Sequence, residues 1–201
     1  MSIPFKICGL TRAEDVVAAT QAGASYLGFV MVPNTPRCLT AERAATLFAA
    51  SPLPKVLVVG DLPFDEVQRL VDILRPACVQ LHRNEPAAFA AALRNVRVWR
   101  AFSLKTAADV EEAAAYPAEA IVADMGKGGS GLVGDWTLAR RLAQRLAQRR
   151  RVILAGGLTS ANVREGFLAT GAFAVDCSSG IEAAPGIKDP DRLAAFAAAC
   201  K

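Results

Sequence analysis

Three stretches hold residues whose types could do chemistry: Lys6-Ile7-Cys8-Gly9, Leu154-Ala155-Gly156-Gly157-Leu158 and Asp176-Cys177-Ser178-Ser179-Gly180. Each falls where a short apolar run stops. A thiol at Cys8, with a cation or helix terminus near enough to lower its pKa from about 8.5, would be a thiolate able to take a carbon-bound proton. The plainer alternative for any cysteine is a small buried hydrophobe, the reading kept for Cys78 and Cys200. Asp124 closes the run Ala120-Ile121-Val122-Ala123. In a partly desolvated position its carboxyl suits delivery of a proton to a leaving oxygen; as a structural group it would anchor the loop from Gly126 to Gly131. Asp176, two residues before the serines, reads as a hydrogen-bonding group for substrate or loop. Arg37, in Pro36-Arg37-Cys38, could clamp a carboxylate with its planar fork or simply be a solvated loop arginine. His82 is the one histidine. It follows Val79-Gln80-Leu81 and is placed as a hydrogen-bonding member of the site and not as the catalyst.

The elements that must hold these residues alternate from one end of the chain to the other. Strand-like runs are expected at Phe5–Cys8, Tyr26–Met31, Lys55–Val59, Cys78–Leu81, Val98–Phe102, Ala120–Asp124, Val152–Ala155 and Phe173–Cys177. Between them, apolar residues at helical spacing predict helices at Ala13–Ala22, Ala41–Ala50, Phe64–Leu74, Ala87–Leu93, Ala107–Ala115, Thr137–Gln148, Ser160–Thr170 and Pro190–Ala199. Thr11 with Glu14 predicts a capping box, and Thr40, Asp135 and Thr159 stand where N-caps are expected. Lys55-Val56-Leu57-Val58-Val59 is nearly continuous in apolar residues, as in parallel strands covered on both faces. A doubly wound sheet would carry a glycine-rich fingerprint after its first strand, which Cys8-Gly9-Leu10 lacks. Eight strands and eight helices predict one (β/α)8 TIM barrel spanning residues 1–201, with its site at the C-terminal ends of the strands. The turns Gly156-Gly157 and Ser178-Ser179-Gly180 then follow strands seven and eight, where this fold binds phosphate through backbone amides. Tight turns with no ligand are the alternative.

Composition narrows the class. The chain has 201 residues, 53% of them hydrophobic and 21% charged, which is enough for one complete core. Its apolar stretches break well before the roughly 18 residues a membrane helix needs, and the start shows no signal-peptide pattern, so the expected location is the cytoplasm. The five cysteines are scattered without chelating spacing, so neither structural disulfides nor a metal is expected. The net charge of +4 comes from dispersed Lys and Arg, the densest group being Arg140, Arg141, Arg145 and Arg149 to Arg151. Such a run reads as a solvated face, and no nucleic-acid or membrane partner is expected. The expected partner is a phosphorylated small molecule. A monomer is the expected state, with a homodimer through exposed apolar residues as the alternative.

Taken in order, Lys6-Ile7-Cys8-Gly9-Leu10-Thr11, Gly28-Phe29-Val30, Pro36-Arg37, Val79-Gln80-Leu81-His82, Gly129-Ser130-Gly131 with Asp135-Trp136, Leu154 to Thr159 with Asn162-Val163, and Asp176 through Pro190 resemble the phosphoribosylanthranilate isomerase family over nearly the whole chain. That resemblance implies an Amadori rearrangement of N-(5-phosphoribosyl)anthranilate to 1-(2-carboxyphenylamino)-1-deoxyribulose 5-phosphate in tryptophan biosynthesis, on a single barrel without metal or cofactor. It implies Asp124 as the general acid at the ring oxygen and Cys8 as the general base at ribose C2. Arg37 would hold the anthranilate carboxylate, with Gly157 and Ser179 in the phosphate loops. The chain departs from the family pattern at Arg83 and Asn84, where Gly and often Asp follow the histidine, and at Leu132-Val133-Gly134 in a short sixth loop. Two other readings are a related barrel acting on a different phosphoribosyl-amine, and a non-catalytic binder of a phosphorylated ligand.

Overall fold

The computed structural model describes residues 2–126, 135–147 and 149–201. Eight parallel strands close into a barrel in chain order: β1 Phe5–Ile7, β2 Tyr26–Met31, β3 Lys55–Val59, β4 Cys78–Leu81, β5 Arg97–Ser103, β6 Ala120–Asp124, β7 Arg151–Ala155 and β8 Ala174–Cys177. The ring closes where β8 pairs with β1, Lys6 against Asp176 and Ile7 against Cys177. Outside it lie α1 Ala13–Gln21, α2 Ala41–Ala49, α3 Phe64–Leu74, α4 Ala87–Ala92, α5 Ala107–Ala115, α6 Thr137–Leu146, α7 Val163–Thr170 and α8 Pro190–Ala199. After β8 the chain makes a 3-10 turn, Ser179–Ile181, and then a small antiparallel hairpin of β9 Glu182–Ala184 and β10 Ile187–Lys188. That hairpin was not foreseen.

The period-two alternation of each strand divides the core in two. Outward residues such as Ile7, Leu27, Leu57, Leu81 and Val175 pack under the helices and are fully buried. Inward residues fill the barrel: Val56, Trp99 and Ile153 lie low, and Cys8, Val58, Ala101 and Ala155 lie nearer the mouth. Burying each large aliphatic side chain contributes about 1.5–3 kcal/mol, so the two shells hold the strand ends in place.

The helix starts show which local signals won. Thr40 caps α2 by accepting from the Arg43 N–H, as expected. The capping box at Thr11 does not form. Arg12 is the N-cap, and the Thr11 hydroxyl donates instead to the Gly186 carbonyl, at 2.5 Å, a partner 175 residues away. A reciprocal capping box sits at Thr106 and Asp109 on α5. Asp135 lies one residue before the N-cap of α6 and accepts from the Thr137 N–H. α7 begins three residues later than expected because Asn162 and Thr159 close a turn first. Gln148 and the segment Gly129 to Gly134 lie outside the described residues.

Candidate active site

Every candidate site residue lines one cavity of about 390 Å³ at the C-terminal ends of the strands: Cys8, Arg37, His82, Asp124, Gly156, Gly157, Asp176, Ser178, Ser179 and Gly180. Residues from opposite ends of the chain meet there because the barrel closes β8 onto β1. Gln80, Arg83, Thr35, Gly126 and the apolar side chains Val30, Val32, Val58, Ala101, Val122, Ala155 and Leu158 complete the wall.

Cys8 follows β1, two residues beyond Lys6, so both side chains enter the barrel. Gly28 on the neighbouring strand makes room for them: a Cβ there would lie 2.9 Å from the Cys8 sulfur and 3.0 Å from Lys6 Cε. Lys6 is wholly buried and donates to Asp176 Oδ2 at 2.7 Å. Burial opposes its charge, but Asp176 and Cys8 outweigh burial and hold the ammonium above its ordinary value. Burial pushes the Cys8 thiol up, and although Lys6 draws it down, burial prevails. The expectation of a thiol lowered by a neighbouring cation is therefore corrected: the cation is present, but desolvation is the larger effect.

Asp124 ends β6 half-buried, and its Oδ1 accepts from the Gly126 N–H at 2.9 Å, so it also anchors its own loop. Gly156, at φ +90°, packs against it; a Cβ there would fall 2.5 Å from Asp124 Oδ1 and 2.7 Å from the Met125 N. Only a glycine lets the seventh loop pass this close to the carboxyl. Burial lowers the His82 pKa, with Asp124 opposing, so the ring is neutral near pH 7. Asp176 Oδ1 is buried without a partner among the described residues.

Arg37 is not a solvated arginine. Its Nε and Nη2 donate to Glu182 Oε1 and Oε2 at 2.8 and 2.5 Å, which fixes one edge of the guanidinium. Glu182 also accepts from the buried Lys188 Nζ at 3.0 Å, and that ammonium donates to the carbonyls of Cys8 and Ser178 at 2.6 and 3.2 Å. Burial alone would raise the Glu182 carboxyl, but the hydrogen bond from Arg37 and the charge of Lys188 together hold it below the usual range. Lys6, Glu182 and Lys188 were not singled out from sequence. For Lys6 a signal existed, since a residue two before Cys8 on a strand must share its face. The cysteines are all free thiols, with Cys38 the exposed one.

Comparison with known proteins is as specific as the geometry. A family profile described as PRAI, N-(5'phosphoribosyl)anthranilate (PRA) isomerase, matches residues 5–199. The N-(5'-phosphoribosyl)anthranilate isomerase of Dechloromonas aromatica is 40% identical over 100% of this chain and 97% of its own length. Against the tryptophan biosynthesis protein TrpCF of Salmonella typhi the identity is 37%, and the chain spans 41% of that longer protein. The solved phosphoribosyl anthranilate isomerase of Thermus thermophilus superposes with a TM-score of 0.84 at 40% identity, covering 98% of each chain. A structure of phosphoribosyl anthranilate isomerase in complex with reduced 1-(o-carboxyphenylamino)-1-deoxyribulose 5-phosphate superposes at 0.87 with 30% identity, covering 97% of this chain and 96% of that one. With a closed eight-stranded barrel and a match from the first strand to the last helix, the chain belongs to the N-(5'-phosphoribosyl)anthranilate isomerases, the isomerases of tryptophan biosynthesis.

Proposed function

We propose that Asp124 and Cys8 carry out the rearrangement as acid and base from opposite sides of the mouth. The observation that carries this reading is the single cavity shared by one carboxyl, one thiol and two glycine-rich loops. The phosphate lies in the turns after β7 and β8, and the anthranilate ring rests on Val30, Val32 and Val58 across the mouth. Asp124 gives its proton to the ribose ring oxygen. The C1–O bond breaks as the anilino nitrogen forms a C=N bond, leaving an iminium cation and the Asp124 carboxylate. The Cys8 thiolate then takes the proton from C2; that electron pair forms C1=C2, and the C=N pair returns to nitrogen. The resulting enolamine loses its C2 hydroxyl proton and gains one at C1, which gives the ketone with no net change in protons. Lys6 and the iminium charge favour the thiolate that burial opposes.

Neutral His82 and the unpartnered Asp176 Oδ1 hold ribose hydroxyls, and the free edge of the Arg37 guanidinium meets the carboxylate. These residues need no metal or cofactor for the reaction as written. The chain forms one catalytic domain, acts in the cytoplasm and works as a monomer. In support of the monomer, three of the five exposed large apolar side chains among the described residues, Val17, Ile73 and Leu168, lie on separate helices, with Phe173 and Ile187 elsewhere. Substrate deuterated at ribose C2 tests the base. Wild-type turnover is expected to show a primary isotope effect with solvent protons replacing the label. The ketone product has no hydrogen at C2, so complete transfer of the label to C1 with no uptake of solvent hydrogen, as in a hydride shift, is the result that would contradict the base.

A further inference from the structure

Among the described residues, four cations stand at or just beneath the mouth, and three of them are already held by strong partners. Lys6 is buried against Asp176, Lys188 is buried against Glu182 and two carbonyls, and Arg37 gives two hydrogen bonds to Glu182. The fourth is Arg83, on the loop after β4. It lines the same cavity, and among the described residues its head makes one ion-pair contact, Nε to Asp61 Oδ2 at 3.3 Å, with the two side chains 48% and 64% exposed. An exposed pair of this kind contributes about 0–1 kcal/mol and exchanges readily for a better-placed anion.

The stem of Arg83 is nonetheless placed. It lies over Gly60, directly after β3, where a Cβ would meet Arg83 Cγ at 2.5 Å. The stem of Arg37 lies in the same way over Gly9 after β1, at 2.5 Å from an added Cβ to Arg37 Cδ. Two arginines are thus laid across glycines at strand ends and brought to the side of the mouth that also carries Val30, Val32 and Val58. The end of β4, which carries Arg83, lies across the closed ring from the turn after β8, whereas Arg37 over Gly9 stands beside that turn, where a Gly9 Cβ would also lie 3.0 Å from Ser178 Oγ.

We infer that Arg83 is a second carboxylate-binding residue, which leaves Asp61 to pair with the aromatic carboxylate of the substrate beside the free edge of Arg37. The inference rests on the functional reading above, because it needs the phosphate at the β7 and β8 loops and the ring on the valines. A substrate bearing anions at both ends is then held by backbone amides at one end and by two arginines at the other. The planar fork suits a carboxylate better than a lysine would.

The test compares two ligands on wild type and on Arg83→Met, which keeps the apolar stem over Gly60. One ligand is the reduced product, an o-carboxyphenylamino-deoxyribitol 5-phosphate. The other is its phenylamino counterpart without the carboxylate. Calorimetric affinities are expected to fall by roughly tenfold or more for the first ligand in the variant, in line with loss of a charge-assisted hydrogen bond, and by less than about twofold for the second. Arg83→Lys is expected to recover only part of the loss. Equal losses for both ligands, or none for either, would overturn the inference. Failure of wild type to bind the carboxylate-free phosphate ligand at all would instead count against the functional reading on which it rests.

Discussion

Cys8 shows why residue identity alone does not set reactivity. Lys6 is placed two positions earlier to favour the thiolate, yet full burial keeps the thiol above its ordinary range. A base acts only when deprotonated, so in Asp124→Asn, where the acid no longer titrates, the residual kcat/KM is expected to rise with pH across about pH 6 to 9, and a flat profile for that variant would contradict Cys8 as the base. At Asp124 the critical neighbour is Gly156. A Gly156→Ala side chain would collide with the carboxyl and demand φ +90° of an alanine, so kcat is expected to fall by about a hundredfold or more in a steady-state assay. The sequence made Cys8, Asp124 and the glycine turns legible because each closes an apolar run. It could not show that Arg37 faces Glu182, a partner 145 residues away.

Elements decide where those residues stand. The four strands β2, β3, β4 and β6 have the ends that their apolar runs predict, since parallel strands buried on both faces leave little choice of register. The first helix starts at Ala13 as its spacing predicts, but Thr11 does not cap it, because its hydroxyl finds a carbonyl on the β9–β10 connection, a competitor that local spacing cannot reveal. That hairpin also works as a clasp. Glu182 joins Arg37 from the second loop to Lys188 on β10, whose ammonium reaches the first and eighth loops. Glu182→Gln removes the shared counter-charge and leaves Lys188 buried, and the cost is expected to be about 3–5 kcal/mol by urea unfolding. Because the folded-state pKa of Glu182 is depressed, its stabilisation is fully present above the unfolded value of about 4.3 and is lost as pH falls through the lowered folded value. The wild-type urea midpoint is therefore expected to drop more steeply below about pH 4 than that of Glu182→Gln.

At the scale of the molecule, the barrel separates the tasks of stability and chemistry along its axis. The low layer is packed with Trp99 edge-on to Tyr26 at 5.0 Å between centroids, and the indole is 2% exposed. Trp99→Ala is expected to cost about 3–5 kcal/mol in chemical denaturation while the groups at the mouth keep their places. The chemistry sits at the other end, where the segments at and after β1, β2, β4, β6, β7 and β8 contribute its polar groups and glycine turns. This division was readable from the alternation of runs and helices, and the family match confirms the barrel and the reaction. The assignment of acid and base to particular atoms is the claim with most at stake. It is tested most directly by following the loss of fluorescence of freshly generated N-(5-phosphoribosyl)anthranilate with wild type, Asp124→Asn and Cys8→Ala. Each variant is expected to bind the reduced product yet turn over at least about a hundredfold more slowly than wild type. Turnover by Asp124→Asn within tenfold of wild type would contradict the account.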